Sequence, residues 1–332
     1  MIGFFPRLLP DELLFSAVAR YSRLMAFSGR EHVALSLLGR KGTFPSRGLP
    51  CHLGTFVSRL LPGHVSSASQ LIDDHTLFPL YAPFLGRRKR EEIRWQMEFG
   101  KAGSTMHPKV DGAHAYFDGL RYCPICVAED RHLHGQTYWH RSHQIPGINL
   151  CPTHLAQLFR FSIQPGEPLI TAEETLTRGK GTPMTVYLGH FYDGYESLAE
   201  DVKFLFTTNT SYPERDALAE TYFDIAARII STGTPECVAR RLCESEHRRL
   251  LGSPPVYKLY AFRAWTQAVP WSRHVPTPVR HALLCQYLGT SLAEVLPRAV
   301  AHKSPQPPPP SGEPLCLKKE ELPSDFEGGL YQ

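Results

Sequence analysis

Apolar residues at the start of the chain recur at helical spacing. Leu13, Leu14, Ala17, Val18, Tyr21, Leu24 and Met25 lie one, three and four positions apart, which predicts one buried helical face across residues 11–25, with Asp11 placed to cap it. Ser28 and Gly29 break that pattern, and a second helix is predicted from Glu31 to Leu38. After the Gly- and Pro-rich stretch from Lys41 to Pro50, Leu53, Phe56, Val57, Leu60 and Leu61 form a third apolar stripe, stopped by Pro62 and Gly63. Short helices joined by brief turns suit a helix-turn-helix unit, and equally any small helical bundle. Residues 75–86 are apolar and aromatic but contain Pro79 and Pro83, so they cannot continue a helix and are expected as an irregular segment packed on the bundle. Residues 87–100 then read as a helix with Ile93 and Met97 facing inward.

From about residue 106 to 165 the pattern gives way to short, turn-rich chain. Beyond Gly166 helical spacing returns at Tyr195, Leu198, Ala199, Val202, Leu205 and Phe206, and again from Leu218 to Ile230. Val279 to Leu288, the turn Gly289-Thr290-Ser291 and Leu292 to Leu296 make a helix, a glycine turn and a short helix, a second helix-turn-helix candidate. After Ala301 a proline-rich run calls for extended or disordered chain. The expected fold is therefore mainly α: helix-turn-helix-like bundles on either side of a small turn-rich segment, whose cysteines, described below, make it a zinc-finger segment, with a disordered proline-rich C-terminal tail. The expected boundaries are 1–105, 106–165, 166–300 and 301–332.

Composition narrows the class. A chain of 332 residues buries a substantial core and is expected to divide into two or three units. The 29 prolines exceed the globular norm and agree with some non-globular chain. No apolar run reaches the length of a membrane-spanning helix, and the N-terminus lacks the charged region and cleavage site of a secretory signal, so a cytoplasmic address is expected, nucleoid-associated when the chain is on DNA. The net charge of +4 permits nucleic-acid binding without demanding it. Basic residues cluster at Arg87-Arg88-Lys89-Arg90, at Arg240-Arg241 and at Arg248-Arg249, each beside carboxylates such as Glu91, Glu92, Glu244 and Glu246. A solvated helix face and a phosphate contact are both open readings of each cluster.

Of the eight cysteines, Cys51, Cys237, Cys243 and Cys285 are scattered and Cys316 lies in the tail, which is no secreted disulfide framework. The remaining three form a pattern: Cys123-Pro124-Ile125-Cys126 and, after 24 residues, Cys151-Pro152-Thr153-His154. Each half is a two-ligand hook, and two hooks supply three thiolates and one imidazole to a tetrahedral ion. Zinc suits that donor set, and a closed site of this kind is structural. One Cys-x-x-Cys also fits a redox pair, which would want a strand before it and a helix starting at the first cysteine, but the Cys-x-x-His hook has no part in that scheme. A catalytic zinc would need an open position and a neighbouring general base, and no His-x-Glu signature accompanies the hooks. His132, His134, His140 and His143 lie between the hooks and compete with His154 for the fourth position, or stand beside it. Tyr122, Tyr138 and Trp139 read as the segment's own small core rather than base-stacking platforms. Arg121, Arg131 and Arg141 flank the hooks and join Arg87, Arg88, Lys89 and Arg90 as candidate phosphate contacts.

These blocks resemble a known family. Phe5-Pro6, then Pro10-Asp11-Glu12-Leu13-Leu14, Ser16 and Ala19-Arg20, are similar to the opening of the TnsD/TniQ family of transposon target-selection proteins. Gly48-Leu49-Pro50, His52-Leu53-Gly54 and the run from His75 to Phe84 resemble its next two blocks. Arg121 to Ala128, Gly135, Trp139, Pro146 and the second hook resemble its zinc finger, which implies that Cys123, Cys126, Cys151 and His154 hold one structural zinc. The resemblance covers about the first 160 residues. It implies a TniQ domain at residues 1–105 and a non-enzymatic protein that binds a double-stranded DNA attachment site. It also implies recruitment of a TnsC-like AAA+ ATPase, which brings a TnsAB transposase. Family members of the TnsD kind are usually much longer, so the same resemblance admits a shorter TniQ-type adaptor that links an RNA-guided CRISPR effector complex to TnsC. A zinc- or thiol-dependent enzyme is the remote third reading.

Overall fold

The computed structural model describes residues 1–42, 44–65, 67–100, 119–145, 148–162, 169–179, 181–184, 192–207, 212–229 and 277–301. The tail from 302 onward, Pro146 and the basic pairs at 240–241 and 248–249 lie outside the described residues. Contacts gather residues 1–302 into one unit. The fold is mainly helical, as the hydrophobic spacing predicts.

The N-terminal bundle is built from α1 (Leu14–Leu24), α2 (Arg30–Leu38), α3 (Leu53–Arg59), α4 (Ala68–His75), the single turn α5 (Phe78–Tyr81) and α6 (Arg87–Phe99). Leu14, Phe15, Ala17 and Val18 of α1 meet Val33 and Leu37 of α2 and Leu53 and Phe56 of α3 in one apolar core. Phe5 anchors the N-terminal segment against Tyr21 and Phe56, with ring centroids 5.4 and 5.1 Å apart. The apolar run after His75 is broken as its prolines require, but it resolves into α5 and a 3-10 turn at Ala82–Phe84 rather than irregular chain. Pro79 occupies the first turn of α5, where its missing N–H leaves no bond unmade.

Asp11 does not cap α1. Leu13 holds the N-cap position with no side-chain cap, and Asp11 instead adopts a positive φ of 53° that turns its carboxylate away from the helix. The buried Glu12 and the half-buried Asp11 of this turn work across the structure. Glu12 pairs with Arg20 at 2.7 Å, both interior, and its carbonyl accepts from the His75 ring at 2.7 Å. Asp11 faces the segment that carries the two hooks.

That segment is more regular than its turn-rich sequence suggests. A three-stranded antiparallel sheet forms from β1 (Leu120–Tyr122), β2 (Phe159–Phe161) and β3 (Thr182–Pro183), with Arg121 opposite Arg160. Between β1 and β2 lies α7 (Pro124–His134), ended by Gly135 in the left-handed region at φ 73°, where its N–H reaches the Arg131 carbonyl at 3.1 Å. Further on, α8 (Ala172–Thr177), α9 (Tyr192–Thr207), α10 (Arg215–Ile229), α11 (Thr277–Tyr287) and α12 (Leu292–Ala301) complete the described chain. α11 and α12 are joined through Gly289 at φ 65°, the helix, glycine turn and helix that the sequence predicts. The Asp201 carboxylate of α9 accepts from the Leu292 N–H at 2.7 Å, which ties the start of α12 to α9. Among the described residues no helix is long and apolar enough to cross a membrane.

Candidate metal centre

The two hooks meet. Cys123 directly follows β1 and sits at the N-cap of α7, Pro124 occupies the first helical turn, and Cys126 follows on that same turn. This places the second sulfur under the first without distorting the chain. On the other side, the Leu155 N–H donates to the Cys151 carbonyl at 2.9 Å and closes a tight turn, with Leu155 at φ 51°, that swings His154 back over Cys151. Leu150 and Gln157 pair as an isolated antiparallel bridge at the base of that turn.

The three sulfurs and the His154 ring nitrogen all lie within 4.8 Å of one another. Cys126 Sγ is 3.7 Å from Cys151 Sγ, and His154 Nδ1 is 3.8, 3.3 and 3.7 Å from the sulfurs of Cys123, Cys126 and Cys151. A four-coordinate ion with arms of about 2.3 Å to sulfur and about 2.0 Å to nitrogen has donor-to-donor edges of roughly 3.5 to 3.8 Å. The cluster therefore has the dimensions of a tetrahedral metal site. All described cysteines are free thiols, and the three in the cluster are buried.

Electrostatics favour an ion in the same place. Hydrogen bonds from the neighbouring thiols and from backbone N–H groups at the start of α7 push the Cys123 thiol down, while hydrogen bonding to Cys123 and Cys151, together with burial, pushes Cys126 up. Three such sulfurs cannot all be anionic side by side without a cation between them. The Thr153 and His154 N–H groups each lie 3.4 Å from Cys151 Sγ and are oriented to stabilise negative charge there. His154 turns its other ring nitrogen, Nε2, to Glu129 at 3.1 Å, the carboxylate support that fixes the tautomer of a ligating imidazole.

The strand and helix that a redox Cys-x-x-Cys wants are present as β1 and α7. The convergence of Cys151 and His154 on the same point is what that scheme does not accommodate. Of the histidines between the hooks, His132 and His134 lie on α7 outside the cluster, His140 is half-buried and His143 is buried. His143 is 1% exposed with Nε2 at 3.6 Å from Cys126 Sγ and 3.4 Å from Cys151 Sγ, a position that no spacing rule singles out. Burial pushes its imidazole down to about 3. His140 is the opposite case. Burial works against its charge, but hydrogen bonds to Asp11 and Asp130 overcome it and push the ring up to about 9.

The cluster is fastened to the bundle by buried polar contacts. The Asp11 carboxylate accepts from Arg141 Nε at 3.0 Å and from the Ser142 hydroxyl at 2.5 Å. The Arg141 guanidinium reaches the backbone carbonyls of Asp73 and Phe206 as well, so one buried cation spans three elements. The Trp139 N–H donates to Ser16 Oγ at 3.0 Å and its indole donates to the Ile170 carbonyl at 3.2 Å. Tyr122, Tyr138 and Trp139 are interior, as expected, but Tyr122 and Trp139 belong to the apolar core of the N-terminal bundle and not to a separate small core.

The candidate phosphate contacts divide into two groups. Arg121 and Arg141 are 6% exposed. Arg121 donates to the Ile145 carbonyl at 2.7 Å, and burial lowers its guanidinium to about 10. Both are interior struts, because an arginine in this pattern supplies donors to buried carbonyls as readily as to a phosphate. Arg87, Arg88, Lys89 and Arg131 are at the surface. Arg87 pairs with Glu91, Lys89 with Glu92, and Arg131 with Glu173. Arg90 donates to the Leu85 carbonyl at 2.9 Å and covers the Tyr212 ring.

Fold and cluster together define a mainly helical protein fastened around a Cys3His group that could hold one metal ion. Residues 3–158 match the TniQ family, a stretch that takes in the N-terminal bundle and all four cluster residues. The match covers just under half of the chain and agrees with the resemblance of its sequence blocks to the TnsD/TniQ family. Transposon Tn7 transposition protein TnsD of Escherichia coli is 33% identical to it over 157 residues. That match spans 47% of this chain and 31% of the relative, so the chain aligns with about a third of that protein's length.

Proposed function

We propose that the chain selects target DNA for a Tn7-like transposon, binding a double-stranded attachment site and recruiting a TnsC-like AAA+ ATPase that brings the TnsAB transposase. The TniQ match across the bundle and the hooks carries this reading, together with the likeness to a Tn7 transposition protein. The ion in the Cys3His group is zinc, held by Cys123, Cys126, Cys151 and His154. Three thiolates and an imidazole suit a redox-silent, borderline-soft metal, and four protein donors leave no position for water or substrate. Its role is to hold the segment after β1 in one shape, which a small local core does not do unaided. In this reading the chain positions others, and turnover belongs to its partners.

The test is binding of the purified full chain to a labelled duplex carrying the sequence beside the transposon's insertion point, against a scrambled duplex at matched salt. Affinity at least tenfold tighter for the first supports a direct reader. Equal affinity overturns that part of the proposal.

A second reading is favoured by a specific observation. The arginines flanking the hooks are either interior or paired with carboxylates, and Arg87 and Lys89 are paired too. Such a surface suits an adaptor that docks on a CRISPR effector complex and reaches DNA through it. Weak intrinsic DNA binding with stable co-purification of the RNA-guided complex is what this adaptor predicts. Dependence of its recovery on the guide RNA separates it from the direct reader.

A further inference from the structure

Resting on the zinc reading above, we infer that His143 is a positioning residue of the metal centre: its Nε2–H donates to the Cys126 and Cys151 thiolates and holds them on the ion without itself ligating. The observation is a contrast between two imidazoles. Both point a ring nitrogen at the sulfurs, at 3.3 to 3.8 Å for His154 and at 3.4 and 3.6 Å for His143. They differ in what the far nitrogen finds.

His154 Nε2 has the Glu129 carboxylate at 3.1 Å, so a proton there is accepted and Nδ1 is left with a lone pair for a metal. His143 Nδ1 is buried and has no hydrogen-bond partner among the described residues. If His143 ligated through Nε2, its ring proton would move to Nδ1 and become a buried donor with nothing to accept it. The reverse tautomer leaves only a lone pair unmatched and places the N–H against two anionic sulfurs. His143 also contacts only the edge between Cys126 and Cys151, whereas His154 lies near all three sulfurs. The His140 ring packs against it, tilted, with ring centroids 4.8 Å apart.

An N–H aimed at a thiolate draws charge from the sulfur, slowing protonation and loss of that ligand. Outer contacts of this sort are worth roughly 10- to 100-fold in metal retention. The function is therefore kinetic: the metal stays in the finger while the flanking bundle is loaded by its partners.

The experiment starts with the zinc content of the full chain. Absence of zinc overturns the metal reading, and this inference with it. With zinc present, long-range nitrogen-15 NMR of histidine-labelled wild-type protein reads the two tautomers directly, and needs no variant. One ring metal-bound through Nδ1 and one neutral ring protonated at Nε2 is the expected result; a second metal-bound ring overturns the inference while leaving the zinc in place. Release of zinc to a chelator is then compared for His143→Leu and His143→Gln. Leucine is expected to speed release about tenfold or more, and glutamine, which keeps an N–H, to restore part of the loss. In the cobalt-substituted variants the tetrahedral visible bands stay and the sulfur charge-transfer band shifts. Unchanged release in His143→Leu, or tetrahedral bands lost in it as they are in His154→Ala, contradicts the assignment.

Discussion

The N-terminal bundle and the segment that carries the hooks are stabilised in different ways. The bundle buries Phe5, Leu14, Phe15, Val18, Leu37, Leu53, Phe56, Leu71 and Phe78 in one continuous apolar core, which is enough for helices of this length. The cluster's own core is Cys123, Cys126, Cys151 and Leu158, with Ala156 and Met184 against it. Three of those four buried residues are the cysteines of the cluster. Solvent-driven collapse therefore organises the first region, while the second has little apolar core of its own and is held by buried polar contacts and, in the proposed reading, by a metal. The seam at Asp11, Arg141 and Trp139 joins the two regions.

The sharpest way to break this comparison is to take the metal away. Cys123→Ser is expected to lose the ion and to open the chain between β1 and β2 to protease, while α1 to α3 keep most of their protection in hydrogen exchange. Uniform loss of protection across both regions would show that the bundle has no stability of its own. Next in size, Trp139→Ala removes the largest fully buried side chain at the seam and is expected to cost about 3 to 5 kcal/mol in urea unfolding. A cost under about 1 kcal/mol would mean that the seam carries little.

A smaller effect comes from pH. His140 is stacked on Tyr138 at 4.3 Å, faces Asp130 at 3.0 Å and Asp11 at 3.7 Å, and has His143 behind it and Arg141 beside Asp11. Its imidazole is raised to about 9 in the folded chain, so the stability it contributes is fully present below the ordinary value of 6.5 and is lost as pH rises through about 9. Urea midpoints should fall across that window, and His140→Gln should flatten the fall; equal slopes in both proteins would remove the charged imidazole from the account. The smallest effect is on the surface of α6. Arg87→Ala breaks an exposed pair with Glu91 and is expected to leave the urea midpoint where it is, because exposed ion pairs contribute little.

The two regions also differ in how far the sequence disclosed them. The bundle helices were legible because Leu14, Ala17, Val18 and Tyr21 repeat at helical spacing on one buried face. α4 had a readable signal as well: Ser67 caps it by accepting from the Gln70 N–H at 3.1 Å, the three-residue spacing of a helix start. α7 was hidden for a physical reason. Its inward face consists of Cys126, Val127 and Asp130, while Ile125 and Leu133 are 45% and 70% exposed, so apolar spacing gives no helical stripe. β1 and β2 are three residues each and β3 is two, too short for alternation to register. The cluster itself was legible, since ligand chemistry fixes residue type and spacing whatever the fold around it. What spacing could not reveal is which charged residues are interior. Arg121 and Arg141 look like phosphate contacts in sequence and prove to be struts, because only the fold shows the carbonyls and the carboxylate they serve.

In the proposed reading, three sulfurs and one imidazole nitrogen close on a single zinc ion and leave no open position. X-ray absorption at the zinc edge of the purified full chain reads that shell. One zinc with three sulfur neighbours at about 2.3 Å and one nitrogen at about 2.0 Å is expected. A zinc shell containing a water oxygen, or two nitrogens and two sulfurs, would contradict it, as would a chain that carries no zinc.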